Sequence, residues 1–289
     1  MAFGVVLSGG GPLAVAWECG VASGLASGGV LLSAADRILG TSAGAIVGAQ
    51  LAAGRDPRAM AQAIVDEKNG VPPPGARTAY AQEAIARLPE LFAKAQSGDA
   101  GRAEVGAYAL QAATPEDEPS YVARIELSLG LTVWPERSLA IVVLDAGNGE
   151  AVVFGRDSEA TLGQAVAASC SLPGLSPPVG VGGRRYIDGG MRSASNADLI
   201  AGCDAVLLLC FTPSGPAADR MIVRARAQAE LLISRGTEVK IISPDERCLA
   251  AIGARTMDVT RRPDVAQAGT VQGAALAADL VAFSTALAS

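Results

Sequence analysis

Short, almost wholly apolar runs alternate along the chain with longer stretches whose apolar positions recur every three or four residues. The first kind fits buried strands and the second fits amphipathic or buried helices. Strands are predicted at residues 3–8, 36–39, 139–144, 151–154, 184–187, 205–211 and 238–242. Between them, residues 12–26, 43–53, 56–67, 158–170, 217–234 and 265–287 carry helical periodicity. Pro12 suits the first turn of its helix, and Gly54 follows the end of another. Val71-Pro72-Pro73-Pro74-Gly75 breaks the pattern, after which residues 78–129 are mostly helical with interruptions expected at Pro89, Pro115 and Pro119. Asn148-Gly149 predicts a hairpin between two of the strands, and residues 172–178 read as a Pro/Gly loop. Strands alternating with crossover helices define an α/β class with a mostly parallel central sheet.

Composition narrows this picture. The 289 residues are 50% hydrophobic, which suffices to fill one large core, so a single domain spanning 1–289 is expected, with a helical insertion or cap at about 70–135. Aromatic residues are only 4%, so the core is built from Ala, Val, Leu and Ile, and 34 glycines supply turns and close backbone approaches. A net charge of −6 and no basic cluster interleaved with aromatics exclude nucleic acid as a partner. The five cysteines (Cys19, Cys170, Cys203, Cys210 and Cys248) lack metal-ligand spacing and read as reduced core thiols. No Lys or Arg precedes Arg37, so a secretory leader is not expected, and the uncharged stretch 160–183 is too rich in Pro and Gly for a spanning helix. The expectation is a cytoplasmic protein that can touch a membrane surface transiently.

Candidate chemistry gathers in two glycine-rich turns and one acidic turn. Gly40-Thr41-Ser42-Ala43-Gly44 lies between a predicted strand and a predicted helix, with the Gly-x-Ser-x-Gly spacing that exposes a nucleophilic serine. A serine hydroxyl needs a base, and the chain contains no histidine. Lys68, Lys94 and Lys240 are the only lysines, and none lies in a site-like stretch, which leaves a carboxylate. Asp188, closing a strand before Gly189 and Gly190, is one candidate; Asp145, at the end of another strand, competes with it. Asp198 reads as part of a helix cap. Ser8-Gly9-Gly10-Gly11 follows the first strand and opens a helix, so its amides can bind negative charge, either an oxyanion or, less well matched by the glycine spacing, a nucleotide phosphate. Pro12 cannot donate, which favours Gly10 and Gly11 as donors, with Gly9 as a third candidate.

Taken together and in order, the glycine triplet 9–11, the elbow at 40–44, Ala167-Ala168-Ser169-Cys170-Ser171-Leu172-Pro173 and Asp188-Gly189-Gly190 resemble the patatin-like phospholipases. The resemblance implies a three-layer α/β/α fold and hydrolysis of lipid acyl esters through an acyl-enzyme. It also implies Ser42 as nucleophile, Asp188 as general base and Gly10 with Gly11 as oxyanion donors, with no metal or organic cofactor. The family commonly carries one variable residue, then Arg or Lys, then Gly after its glycine triplet, whereas this chain has Pro12-Leu13-Ala14. Headgroup recognition is therefore expected to be weakened, and Leu13→Arg to raise activity on anionic headgroups. The alternatives are a catalytically weak lipid- or anion-binding regulatory protein of the same fold, and an acyltransferase.

Overall fold

In the computed structural model, which describes residues 2–67 and 79–285, one eight-stranded sheet organises the chain. The strands are β1 (Phe3–Leu7), β2 (Arg37–Thr41), β3 (Ser138–Asp145), β4 (Ala151–Phe154), β5 (Val179–Val181), β6 (Arg184–Asp188), β7 (Ala205–Leu209) and β8 (Glu238–Ile242). Their order is β5-β6-β3-β2-β1-β7-β8, with β4 also paired to β3. The β3-β2-β1-β7-β8 portion is parallel; β4, β5 and β6 pair antiparallel. β1 and β7 are buried along their whole length, as expected for strands covered on both faces.

Helices α1 (Gly11–Ser27), α2 (Ala43–Ala52), α3 (Pro57–Asp66), α4 (Ala79–Ala95), α5 (Asp99–Gln111), α6 (Glu118–Leu129), α7 (Leu162–Ser169), α8 (Pro216–Ile233), α9 (Glu246–Ile252) and α10 (Arg262–Thr285) flank the sheet. α1 is mostly apolar and is buried from Leu13 to Ala26 apart from Val15, its one charged side chain, Glu18, being buried as well. It packs backbone against backbone on α10. A Cβ at Gly24 would lie 2.2 Å from the Thr270 carbonyl oxygen, and one at Gly273 would lie 2.3 Å from that of Val21. The indole Nε1–H of Trp17 donates to Gln272 Oε1 (2.8 Å) across the same seam.

Several boundaries differ from expectation, each for a local reason. α4 continues through Pro89 and an unexpected break follows Ala95, whereas the expected interruption at Pro115 falls in the break between α5 and α6. In α4, the buried Ala84 and Leu88 and the packing of Leu91 and Phe92 against a small apolar cluster outweigh the single hydrogen bond a proline removes. Pro119 sits in the first turn of α6, where it is tolerated. α7 starts at Leu162 because Thr161 and Gln164 form a reciprocal capping box. β5 follows Pro177-Pro178 directly, and β2 runs two residues beyond the predicted end, to Thr41. Asp198 does not cap a helix; its carboxylate takes both Arg192 guanidinium nitrogens, at 3.0 and 2.6 Å. The proline-rich break at 71–75 and the predicted ends at residues 78 and 287 lie outside the described residues.

Candidate active site

Sheet register brings the serine and the aspartate to one level. Thr41, the last residue of β2, pairs with Val142, so Ser42 emerges level with Val143 on β3. Val143 pairs on its other side with Asp188, the last residue of β6. The two side chains meet there, and Ser42 Oγ–H donates to Asp188 Oδ2 at 2.8 Å. Ser42 has φ 54° and ψ −113°, a conformation costing a non-glycine residue on the order of 1–3 kcal/mol. Close packing holds it: a Cβ on Gly44 would stand 2.0 Å from the Leu7 carbonyl oxygen, so glycine is required where α2 leaves the elbow.

Three further contacts fix the elbow. The Ser42 amide donates to Ser169 Oγ (2.8 Å), and that hydroxyl donates onward to the Val142 carbonyl (2.7 Å). The Gly44 amide donates to the Ser8 carbonyl (3.1 Å), coupling the elbow to the first glycine turn. Asn196, itself at φ 48°, donates from Nδ2 to Thr41 Oγ1 (3.1 Å), the Gly189 carbonyl (3.1 Å) and the Ser193 carbonyl (2.6 Å). One buried amide therefore bridges the residue before Ser42 and the residue after Asp188. Its Oδ1 accepts from Arg192 Nη1 (2.9 Å).

Asp188 is 1% exposed. Its second oxygen, Oδ1, accepts the Gly190 amide (2.7 Å). Burial pushes its carboxyl from 3.8 up to about 7, against the opposing pull of the hydrogen bonds from Gly190 and Ser42. Such a carboxylate is poised to take and return a proton near neutral pH. Cys170 lies beside the pair, and burial raises its thiol far above its ordinary value, keeping it in the unreactive protonated form.

The other candidates lie elsewhere. Asp145 accepts from the Gly147 amide (2.8 Å) and from Arg184 Nη1 (3.0 Å) in the β3–β4 turn. Lys94 pairs with Glu104 (2.6 Å), Lys240 sits over the Phe283 ring (4.7 Å), and Lys68 lies outside the described residues. Within the glycine triplet, the Gly9 amide donates to the Ala194 carbonyl (2.8 Å), so it is not a free donor. The Gly10 and Gly11 amides meet no acceptor among the described residues. Gly11 adopts φ 72°, and a Cβ there would reach 2.9 Å from Met257 Sδ; one on Gly10 would stand 2.4 Å from the Phe211 ring. Leu13 is fully buried in the main core. An arginine there would bury an unpartnered charge, so the expectation that Leu13→Arg improves headgroup use does not hold.

The glycine turn, Ser42 and Asp188 open into one cavity of about 1130 Å³. Ile85, Leu88 and Phe92 of α4 supply an apolar wall. Arg220 and Met221 of α8 and residues 254–260 also line the cavity. Among the described residues no cluster of three or more Cys, Asp or Glu side chains is arranged to hold a metal, and no helix is long and apolar enough to cross a membrane.

The fold and the family match together place the chain in a class of lipid hydrolases. Residues 5–200 match the patatin-like phospholipase family, and the chain belongs to that family. Among solved structures, VipD from Legionella pneumophila is similar at 15% identity and a TM-score of 0.50, over 96% of this chain and 67% of that one. The type III effector protein ExoU is similar at 20% identity and a TM-score of 0.41, over 96% of this chain and 53% of that one, so this chain spans about half of ExoU's length. VipD speaks for the fold alone at this identity. No curated protein matches in sequence.

Proposed function

We propose that the protein hydrolyses lipid acyl esters through a Ser42–Asp188 dyad and an acyl-enzyme. The observation that carries this reading is the 2.8 Å hydrogen bond from a strained serine to a fully buried carboxylate, in a cavity that also holds two uncommitted glycine amides. Asp188 takes the Ser42 proton as Oγ attacks the ester carbonyl. The oxyanion of the tetrahedral intermediate accepts the Gly10 and Gly11 amides; losing one such donor typically costs about 3 kcal/mol. Collapse returns the proton from Asp188 to the departing alcohol and leaves the acyl group on Ser42. A water molecule then gives its proton to Asp188, attacks the acyl carbonyl and releases the fatty acid, and the proton returns to Ser42. The α4 wall, with Leu88, Phe92 and Ile85, suits an acyl chain.

Fluorophosphonate labelling with peptide mapping tests the assignment. An adduct at Ser42 is expected, absent from Ser42→Ala and strongly reduced in Asp188→Asn. A folded wild-type protein that takes no label would leave a lipid-binding protein without this chemistry.

A further inference from the structure

The buried face of α8 carries a polar exception. Ala225 and Leu232, at helical spacing, share an apolar cluster with Val206 and Leu208 of β7, and Gln228 lies between them along the helix, 7% exposed. A primary amide buried at such a position costs free energy unless its polar atoms are bonded. Its Oε1 accepts three donors, all from one loop: Ser195 Oγ–H at 2.7 Å, the Ala197 amide at 3.2 Å and Ser193 Oγ–H at 3.3 Å. A backbone N–H can only donate, so the Ala197 contact requires the oxygen of Gln228, not its nitrogen, to face the loop. One turn earlier on α8, Arg224 Nη1 donates to the Arg192 carbonyl at 2.7 Å.

Residues 192–197, which α8 holds from behind, reach every part of the site. The Ala194 carbonyl accepts the Gly9 amide (2.8 Å), which ties the loop to the glycine turn. Asn196 Nδ2 donates to Thr41 Oγ1, just before the nucleophile, and to the Gly189 carbonyl, just after Asp188, each at 3.1 Å. The glycine turn, the serine elbow and the acidic turn come from three separate stretches of chain, and this one loop is bonded to all three. Ser193, Ser195 and Asn196 are each no more than 2% exposed, so solvent has little access to these bonds. Ser42, at φ 54°, keeps its strained conformation only where its surroundings hold it.

We propose that Gln228 is a positioning residue of the active site, its single oxygen setting the 193–197 loop and, through that loop, the mutual placement of the glycine turn, Ser42 and Asp188. The proposal rests on the hydrolase reading for its kinetic readout and on the hydrogen bonds for its geometry. Gln228 touches no substrate and moves no proton; it acts through Ala194 and Asn196. Misplacing reacting groups by about 1 Å costs on the order of 100-fold in rate, so the loss of a distant acceptor that lets the loop shift is felt at Ser42.

The test measures the second-order rate of fluorophosphonate labelling, and kcat and KM on p-nitrophenyl butyrate, for wild type, Gln228→Met, Gln228→Glu and Leu232→Ala. Methionine keeps the length of the side chain and removes the acceptor, glutamate restores an acceptor oxygen, and Leu232→Ala loosens α8 without touching the loop. Labelling and kcat are expected to fall at least tenfold in Gln228→Met with KM little changed, to recover most of the way in Gln228→Glu, and to stay near wild type in Leu232→Ala. Wild-type labelling of Gln228→Met, or an equal loss in Leu232→Ala, overturns the proposal while leaving the hydrolase reading intact. Should Gln228→Met fail to fold, Ser195→Ala, which removes the shortest of the three bonds, is read in the same way. Amide hydrogen exchange of the peptides covering 8–12 and 189–197 reads the placement without any chemistry. If wild type takes no label, the hydrolase reading falls. Faster exchange in Gln228→Met than in Leu232→Ala then still supports a loop held by Gln228, and equal exchange refutes it.

Discussion

Asp188→Asn separates the chemical work of the carboxyl from its cost to the fold. The folded protein holds the Asp188 proton up to about pH 7, whereas an unperturbed aspartate releases it at 3.8. Because the folded pKa is the higher one, stability present below pH 3.8 is lost as pH rises toward 7. That loss is about three pKa units at roughly 1.4 kcal/mol each, or about 4 kcal/mol at alkaline pH. Asparagine keeps the local geometry, since its Oδ1 can accept the Gly190 amide and its Nδ2 can donate to Ser42 Oγ, but it carries no charge. The variant is therefore expected to be more stable than wild type, with the gain growing by about 3 kcal/mol between pH 5 and pH 8.5. Denaturant unfolding at those two pH values measures it. The same variant should lose 10²- to 10⁴-fold in kcat, and the wild-type rate should rise with pH through about 7 as Asp188 ionises. A pH-independent stability difference, or turnover within tenfold of wild type, would refute the reasoning.

Two more substitutions probe what surrounds the dyad. Asn196→Ala removes the amide that joins Thr41 to Gly189, and should cost about 1–3 kcal/mol in unfolding free energy together with slower fluorophosphonate labelling of Ser42. Labelling at the wild-type rate would show that the bridge does not position the nucleophile. Leu13→Arg should cost several kcal/mol by placing an unpaired guanidinium in the core, seen as loss of soluble protein or a large drop in melting temperature.

The strands were legible because they are short and mostly apolar, with β1 and β7 buried along their whole length and β3 along most of it. Ser42 and Asp188 were legible because glycine turns next to strand ends are local patterns. What tied them together was not. Ser169 meets the Ser42 amide across 127 residues of sequence, and Asn196 meets Thr41 across 155, so no window on the chain could show either contact. β5 was hidden behind two prolines, and α9, only seven residues long, is too short to display a helical period. A readable signal did exist for the α1–α10 seam: Gly20, Gly24 and Gly28 recur every four residues, as do Gly269 and Gly273, and that spacing places small residues along one helix face. In residues 79–129 Pro89 misled, because tertiary packing carried α4 through it, whereas Pro115 does mark the break between α5 and α6.

The sheet order has a practical corollary for anyone shortening this protein. The region that matches the family, residues 5–200, carries both Ser42 and Asp188, yet β1 is hydrogen-bonded on one side to β2 and on the other to β7, which begins at Ala205. Cutting at residue 200 would strip one edge of β1 of its partner and uncover α1, whose first turn holds Gly11. An excised fragment would keep every motif and expose an unpaired, wholly apolar strand, the kind of edge that recruits other chains into aggregates. The span that carries the chemistry is thus shorter than the span that can fold.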